Sequence, residues 1–316
     1  MKCLLVGNYG AGNLGDEALR EYFLSGFPSV QWIALSARPS RPNEVPRMPF
    51  GVRSIVFTPW WRTIRELRLA DAVVFGGGSL FTDVESAAAC LLWWWHGFVA
   101  RRFRKPLILA FQGIGPFRTK VGRWCARNTV KHAAFVSARD EESWRQAKQW
   151  NACVVLSFDP VLNMVKPAVR QTSTEVLAVI PRMNSGSALL KAVSGASGRN
   201  ATQTRILSLQ PDCAAERRAC EKIRAAIGPS ASVHRVRDIA ELAALLGGCG
   251  RVITERYHGA IAAIALGLPV EIIPQRDSDK LASLRTMLRS PEALETMRRR
   301  LLAGEKELQK IINMLK

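Results

Sequence analysis

Two α/β domains, each built on a doubly wound parallel sheet, are what the sequence predicts, and three observations predict them. Short apolar runs alternate with helical stretches from one end of the chain to the other. The first run opens into a glycine-rich turn followed at once by a helical pattern. A looser stretch, 166–174, with Pro167 and a Thr/Ser cluster, reads as a linker that divides the runs into two series. With 316 residues, 48% of them apolar, the chain is long enough to bury two cores.

The strands expected before the linker are Leu4–Val6, Gln31–Leu35, Ser54–Phe57, Ala72–Phe75, Leu107–Phe111, Phe135–Ser137 and Cys153–Leu156. After it come Val176–Ile180, Arg205–Leu209, Ser232–His234, Arg251–Thr254 and Val270–Ile273. Residues 284–316 read as an amphipathic helical tail interrupted near Ser290-Pro291. The expected organisation is therefore an N-terminal Rossmann-like domain over 1–165, a second over 175–283, and the tail. Two such domains would face each other across a cleft, with ligands beyond the carboxyl ends of the strands.

Gly10-Ala11-Gly12-Asn13-Leu14-Gly15 matches the dinucleotide fingerprint G-x-G-x-x-G. Two details argue against a dinucleotide. The following strand ends in Ser36-Ala37-Arg38, with no acidic residue for a ribose hydroxyl. Asp16 and Glu17 also occupy the first helical turn, where they suit the helix dipole but repel a pyrophosphate. Sugar hydroxyls fit Asn8, Asn13, Asp16 and Glu17 better.

The formal charge of +19 is spread over both halves of the chain. Such a field attracts nucleic acid, anionic membrane surfaces or anionic substrates. No nucleic-acid motif is present, and the aromatics form an apolar block rather than stacking positions interleaved with charge, so no nucleic-acid partner is expected. Seven cysteines without C-x-x-C spacing read as reduced thiols of a cytoplasmic protein. Met1-Lys2 leads directly into the first strand, which reads as no secretory signal, and no run approaches a membrane span.

Four further strand ends carry chemistry-bearing sequences. They are Gly76-Gly77-Gly78-Ser79-Leu80-Phe81-Thr82-Asp83, Gln112-Gly113-Ile114-Gly115-Pro116, Ser137-Ala138-Arg139-Asp140 with Asp159-Pro160, and Thr254-Glu255-Arg256-Tyr257-His258-Gly259. Gly76-Gly77-Gly78 reads as a loop. With the G-N-x-G-x-x-N-x-G-D-E opening, this ordered set resembles the polysaccharide pyruvyl transferase family across roughly residues 3–280. The resemblance implies a GT-B-like fold and transfer of the pyruvyl group of phosphoenolpyruvate to sugar hydroxyls as a ketal. It also implies a sugar or lipid-linked oligosaccharide acceptor, in the assembly of cell-surface polysaccharide such as exopolysaccharide. The alternatives are a GT-B glycosyltransferase using a nucleotide sugar, a basic nucleic-acid-binding protein, and a catalytically inactive scaffold.

The residue types suit that chemistry independently. A carboxylate and a phosphate on one small donor call for arginines, which hold planar anions through paired hydrogen bonds. Ketal formation begins with protonation of a methylene carbon, a task for histidine near neutral pH. No metal or redox cofactor is demanded. By resemblance to the family's R-x-H motif, His258 is the expected general acid and Arg256 a donor ligand. Arg182, after the first strand of the second domain, resembles the arginine that family members place against the donor and is the second expected donor ligand. Asp279-Lys280 resembles an Asp-Lys pair of the family, but 274–280 departs from the usual Tyr-containing form, so Arg276 and Lys280 both stand as donor candidates. Asn13, Asp16 and Asp83 are the candidate acceptor ligands, with Asp16 also the candidate base. His96, His132 and His234 read as structural.

The most apolar stretch, 87–100, holds Trp93-Trp94-Trp95 and is followed by Arg101-Arg102-Phe103-Arg104-Lys105. Tryptophan beside a basic cluster suits an anionic membrane interface, and burial of the helix between sheet and neighbour is the competing reading. Trp60-Trp61-Arg62 reads either as a second anchoring point or as a loop closing the core. The implied location is cytoplasmic, peripheral on the inner face of the cell membrane.

Overall fold

The computed structural model describes residues 1–84, 86–166, 175–197, 203–275 and 280–315. The chain divides into two compact units. One comprises Met1–Ala11, Leu19–Pro160 and Met297–Lys316, and the other Gly12–Ala18 and Val161–Thr296. The glycine-rich turn thus groups with the second unit, and the last helix returns to the first.

In chain order the elements up to the linker are β1 (Lys2–Tyr9), α1 (Leu14–Gly26), β2 (Gln31–Ser36), β3 (Glu44–Pro46), α2 (Val52–Phe57), α3 (Trp61–Leu69), β4 (Ala72–Phe81), α4 (Ala87–Arg102), β5 (Leu107–Ile114), α5 (Lys120–Lys131), β6 (Phe135–Ala138), α6 (Glu141–Lys148), β7 (Val154–Leu156) and α7 (Val161–Met164). Their strands form a parallel sheet in the order β3-β2-β1-β4-β5-β6-β7. Beyond the linker come β8 (Val176–Ile180), α8 (Ser187–Ser197), β9 (Gln203–Ser208), α9 (Ala214–Ile227), β10 (Ala231–Arg235), α10 (Ile239–Gly247), β11 (Arg251–Thr254), α11 (Tyr257–Ala265), β12 (Val270–Ile272), α12 (Lys280–Met287) and α13 (Ala293–Met314). The second parallel sheet runs β10-β9-β8-β11-β12.

Central strands read as continuous apolar runs because helices cover both faces of such sheets. Val73, Phe75, Leu107, Leu109 and Val136 anchor the first core, and Leu177, Val179, Ile206 and Ile253 the second. Met297, Leu301, Leu308 and Ile312 of α13 are fully buried. The helical tail breaks between α12 and α13, across Ser290-Pro291, as the proline predicts.

Three local expectations need correction. Ser54–Phe57 forms helix α2, not a strand. No sheet strand pairs with it, and its turn is closed locally by the Ser54 and Ile55 amides donating to the Gly51 carbonyl. Strand β3 went unpredicted because Glu44 and Pro46 disguise it. Glu44 is tolerated inside because Arg20 pairs with it at 2.8 Å, both side chains being buried. Gly76-Gly77-Gly78 lies within β4, where Gly77 and Gly78 take positive φ beside an irregularity in the β4–β5 register. At Gly76 a Cβ would lie 2.3 Å from the Tyr9 hydroxyl, which donates to the Gly76 carbonyl.

The family motifs of the first unit hold this architecture together. Arg139 pairs with Asp159 at 2.9 Å and donates to Ser79 Oγ at 2.6 Å, tying three motifs in one buried cluster. Asp140 caps α6 through the Ser143 amide. Gln112 donates to the carbonyls of Phe75 and Ala110.

His96, in α4, is buried and neutral. Its Nδ1 faces the Leu92 carbonyl at 2.7 Å and its Nε2 accepts the Met48 amide at 3.0 Å, which selects the Nδ1–H tautomer. Burial pushes its pKa down from 6.5 to about 4, helped by the Arg47 charge and opposed by the Leu92 bond. Between those values the unfolded chain binds the proton and the folded chain does not, so stability falls as pH drops through that window. The expected loss is roughly 3 kcal/mol over the full window. The difference in urea midpoint between pH 7 and pH 4.5 should shrink in His96→Gln. Equal differences in variant and wild type would contradict this.

Candidate active site

The second sheet reverses its winding between β8 and β11, and ligands of open parallel sheets bind at the carboxyl ends of such strands. The chain leaving β8 carries Arg182, and the chain leaving β11 carries Glu255, Arg256 and His258.

Arg256 is the N-cap residue of α11, and its amide donates to Thr254 Oγ1 at 2.9 Å. Its side chain is nearly buried, with Nη1 3.3 Å from Glu216 Oε2. Glu216, in the first turn of α9, is wholly buried, and its Oε1 accepts from Ser208 Oγ at 2.9 Å and the Gln210 amide at 2.7 Å. A guanidinium carries five donors, so this ion pair holds it without exhausting it.

Glu255 is likewise buried. Its Oε2 accepts from the Ser185 hydroxyl in a short hydrogen bond and from the Arg182 amide at 3.3 Å. Burial raises the Glu255 pKa, while Ser185, the Arg182 amide, Gln275 and the Arg182 charge act against the rise. Ser185 Oγ also closes the turn by accepting the Arg182 amide at 2.8 Å. Asn184 and Gln275 exchange two amide hydrogen bonds, at 2.8 and 3.0 Å, so the chain after β12 is tied to the Arg182 loop. Lys280, half-buried, opens α12 a few residues on, whereas Arg276 and Asp279 lie outside the described residues.

His258 is half-buried in the first turn of α11 and is packed against Gly15. A Cβ on Gly15 would lie 1.8 Å from the His258 Nδ1 and 2.1 Å from its Cε1. The glycine-rich turn therefore contributes an absence of side chain, and the imidazole fills it. The Leu14 amide donates to the Leu209 carbonyl at 3.2 Å, which joins this turn to the end of β9. Asn13 Oδ1 accepts the Gly15 amide at 3.1 Å, and Asp16 lies half-buried one residue on. Asn13, Asp16, Arg182, Arg256 and His258 all belong to this unit.

Asp83 belongs to the first unit. Its carboxylate is buried in the first unit, where Oδ1 accepts the Arg118 amide at 2.6 Å and Oδ2 accepts the Thr119 amide at 2.7 Å and hydroxyl at 2.5 Å. Burial alone would raise its pKa, but bonds from the Thr119 hydroxyl and the Arg118 and Thr119 amides bring it below the ordinary value. Asp83 holds the entrance to α5. Asn8 likewise accepts from Arg47 Nη2 at 3.1 Å, in the first unit.

Sequence reasoning missed Glu216 and Glu255. Each is an acidic residue close after a strand in a strongly basic chain, and that contrast was the available signal. Among the described residues, no group of three or more His, Cys, Asp or Glu side chains could hold a metal ion.

The fold is GT-B-like. Over 99% of this chain and 100% of the other, it superposes on Anabaena Alr3699/HepE in complex with UDP-glucose with a TM-score of 0.64 at 11% identity. The UDP-GlcNAc 2-epimerase of Neisseria meningitidis gives 0.60 at 12% identity, again over 99% and 100% of the two chains. That of Methanocaldococcus jannaschii gives 0.59 at 9% identity with the same coverage. A search of curated proteins finds no match. The family model for polysaccharide pyruvyl transferase matches residues 13–273, and the chain belongs to that family.

Two outcomes follow from this geometry. Gly15→Ala must displace the imidazole, so the His258 ring resonances in NMR should move while the melting temperature changes by no more than a few degrees. Unmoved resonances would contradict the packing. Arg256→Ala alone leaves a buried, uncompensated Glu216 and should destabilise the second unit by about 3–5 kcal/mol. Adding Glu216→Gln should restore much of that loss in urea unfolding, and an equally unstable double variant would contradict the pairing.

Proposed function

We propose that the protein transfers the pyruvyl group of phosphoenolpyruvate to two hydroxyls of a sugar, forming a cyclic ketal in cell-surface polysaccharide biosynthesis. The observation that carries this reading is that β8 and β11 pair in parallel through Ile180 and Thr254, so the segments carrying Arg182, Arg256 and His258 leave adjoining carboxyl ends of one sheet.

Arg256, ion-paired with Glu216, and Arg182, its loop tied to Glu255, bind the donor's carboxylate and phosphate. Lys280 adds a third cation, and Arg276 is the alternative for that task. His258 delivers a proton to the methylene carbon of the donor, leaving an oxocarbenium-like centre at the neighbouring carbon. A sugar hydroxyl attacks that carbon and gives its proton to Asp16, with the Asn13 amide orienting the acceptor. The second hydroxyl then displaces phosphate, its proton leaving with the phosphate, and the ring closes. A lipid-linked oligosaccharide is an acceptor of the right kind, and the peripheral, cytoplasmic face of a membrane is where such an acceptor meets a phosphoenolpyruvate pool.

The test is phosphate release and ketal formation from phosphoenolpyruvate with a sugar acceptor. His258→Ala should lower turnover by about 10²–10⁴-fold while phosphoenolpyruvate still binds. Unchanged turnover in that variant would overturn the mechanism. Turnover of a uridine-diphosphate sugar with none of phosphoenolpyruvate would replace the donor.

A further inference from the structure

We propose that α2 and α3 form a docking surface for an anionic lipid bilayer. Helix α2 has no buried residue. Phe50, Val52, Ile55, Val56 and Phe57 are all exposed, Val52 and Phe57 to 80% and 79%. Trp61, at the start of α3, is 62% exposed. A soluble surface scatters such side chains singly, and a contiguous group of them marks a contact surface.

The charges around the group identify the occupant. Arg53, Arg62, Arg65 and Arg68 are all exposed. From Arg47 to Leu69 the only acidic residue is Glu66, and Lys2 pairs with it at 2.5 Å. An apolar tip carrying Phe and Trp, ringed by unopposed arginines, complements a bilayer interface with anionic headgroups. The segment is also pre-shaped. The Trp60 indole donates to the Ile55 carbonyl at 3.0 Å, and the Phe50 amide donates to Ser54 Oγ at 2.7 Å. A shallow groove lined by Trp60, Trp61, Ile64, Arg65, Arg68 and Leu69 puts indoles and guanidinium groups side by side.

The tryptophan run of α4 is less suited. Trp93 is buried under the Arg47 guanidinium, and Trp94 is half-buried with its indole bonded to Asn128 at 3.0 Å. Trp95 is half-buried and stacked on Phe98. Among the described residues, no helix is long and apolar enough to cross a membrane, so contact through this face is interfacial.

The test is sedimentation of the full chain with vesicles of phosphatidylcholine alone and of phosphatidylcholine mixed with phosphatidylglycerol. Wild type should bind the anionic vesicles at least tenfold more tightly than the neutral ones. The triple variant Ile55→Ser, Val56→Ser, Phe57→Ser and the double variant Arg62→Glu, Arg65→Glu should each lose at least tenfold in affinity, with unchanged melting temperatures. Equal binding to both vesicles, or full binding by either variant, would overturn the proposal. So would a concentration-dependent dimer dispersed by the serine substitutions, which would make the face an interface between two copies. The outcome does not depend on the donor chemistry.

Discussion

Between β8 and β11 the second sheet changes its direction of winding, and everything proposed about the chemistry depends on that reversal. Segments leaving these two strands diverge to opposite sides, so their first residues are not covered by a crossover. Arg182 and Glu255 stand there, with Arg256 and His258 following at once. The same spot with any other strand order would be closed by its own connections.

Two buried carboxylates then do what a basic chain cannot do with arginines alone. Glu216 fixes a guanidinium, and Glu255 fixes the turn that carries the other. Neither carboxylate sits in water, and both are fully engaged by hydrogen bonds or an ion pair, which is the condition under which a charged group is tolerated inside. The glycine-rich turn works by a different principle. Its value at Gly15 is the space left for the His258 ring, rather than a cradle for phosphate.

Most of the fold was legible in the sequence because buried parallel strands are continuous apolar runs, and Val176–Ile180 and Arg251–Thr254 were read to the residue. Failures fell where local composition misleads. Glu44 and Pro46 hid a strand whose buried carboxylate is paired by the distant Arg20, and the β-branched run of α2 mimicked a strand although no sheet strand pairs with it. The arginines and the histidine of the proposed site could be named from the sequence because they stand at the ends of apolar strand runs. The carboxylates behind them could not, because Glu216 acts through contacts with the ends of β9 and α11 and Glu255 through the loop after β8, which no local pattern reveals. Asp83 has a structural role that its motif did not announce: its oxygens accept from Arg118 and Thr119. Motif membership alone therefore does not separate chemistry from architecture. Arg139, Asp159 and Ser79 make the same point from the first unit.

The most direct measurement of the central claim is calorimetric titration of phosphoenolpyruvate and of UDP-glucose into wild-type protein and Arg182→Ala. Saturable binding of phosphoenolpyruvate, weakened at least tenfold in the variant and with no comparable binding of UDP-glucose, is the result this account predicts. Binding of UDP-glucose alone, or phosphoenolpyruvate affinity indifferent to Arg182, would contradict it.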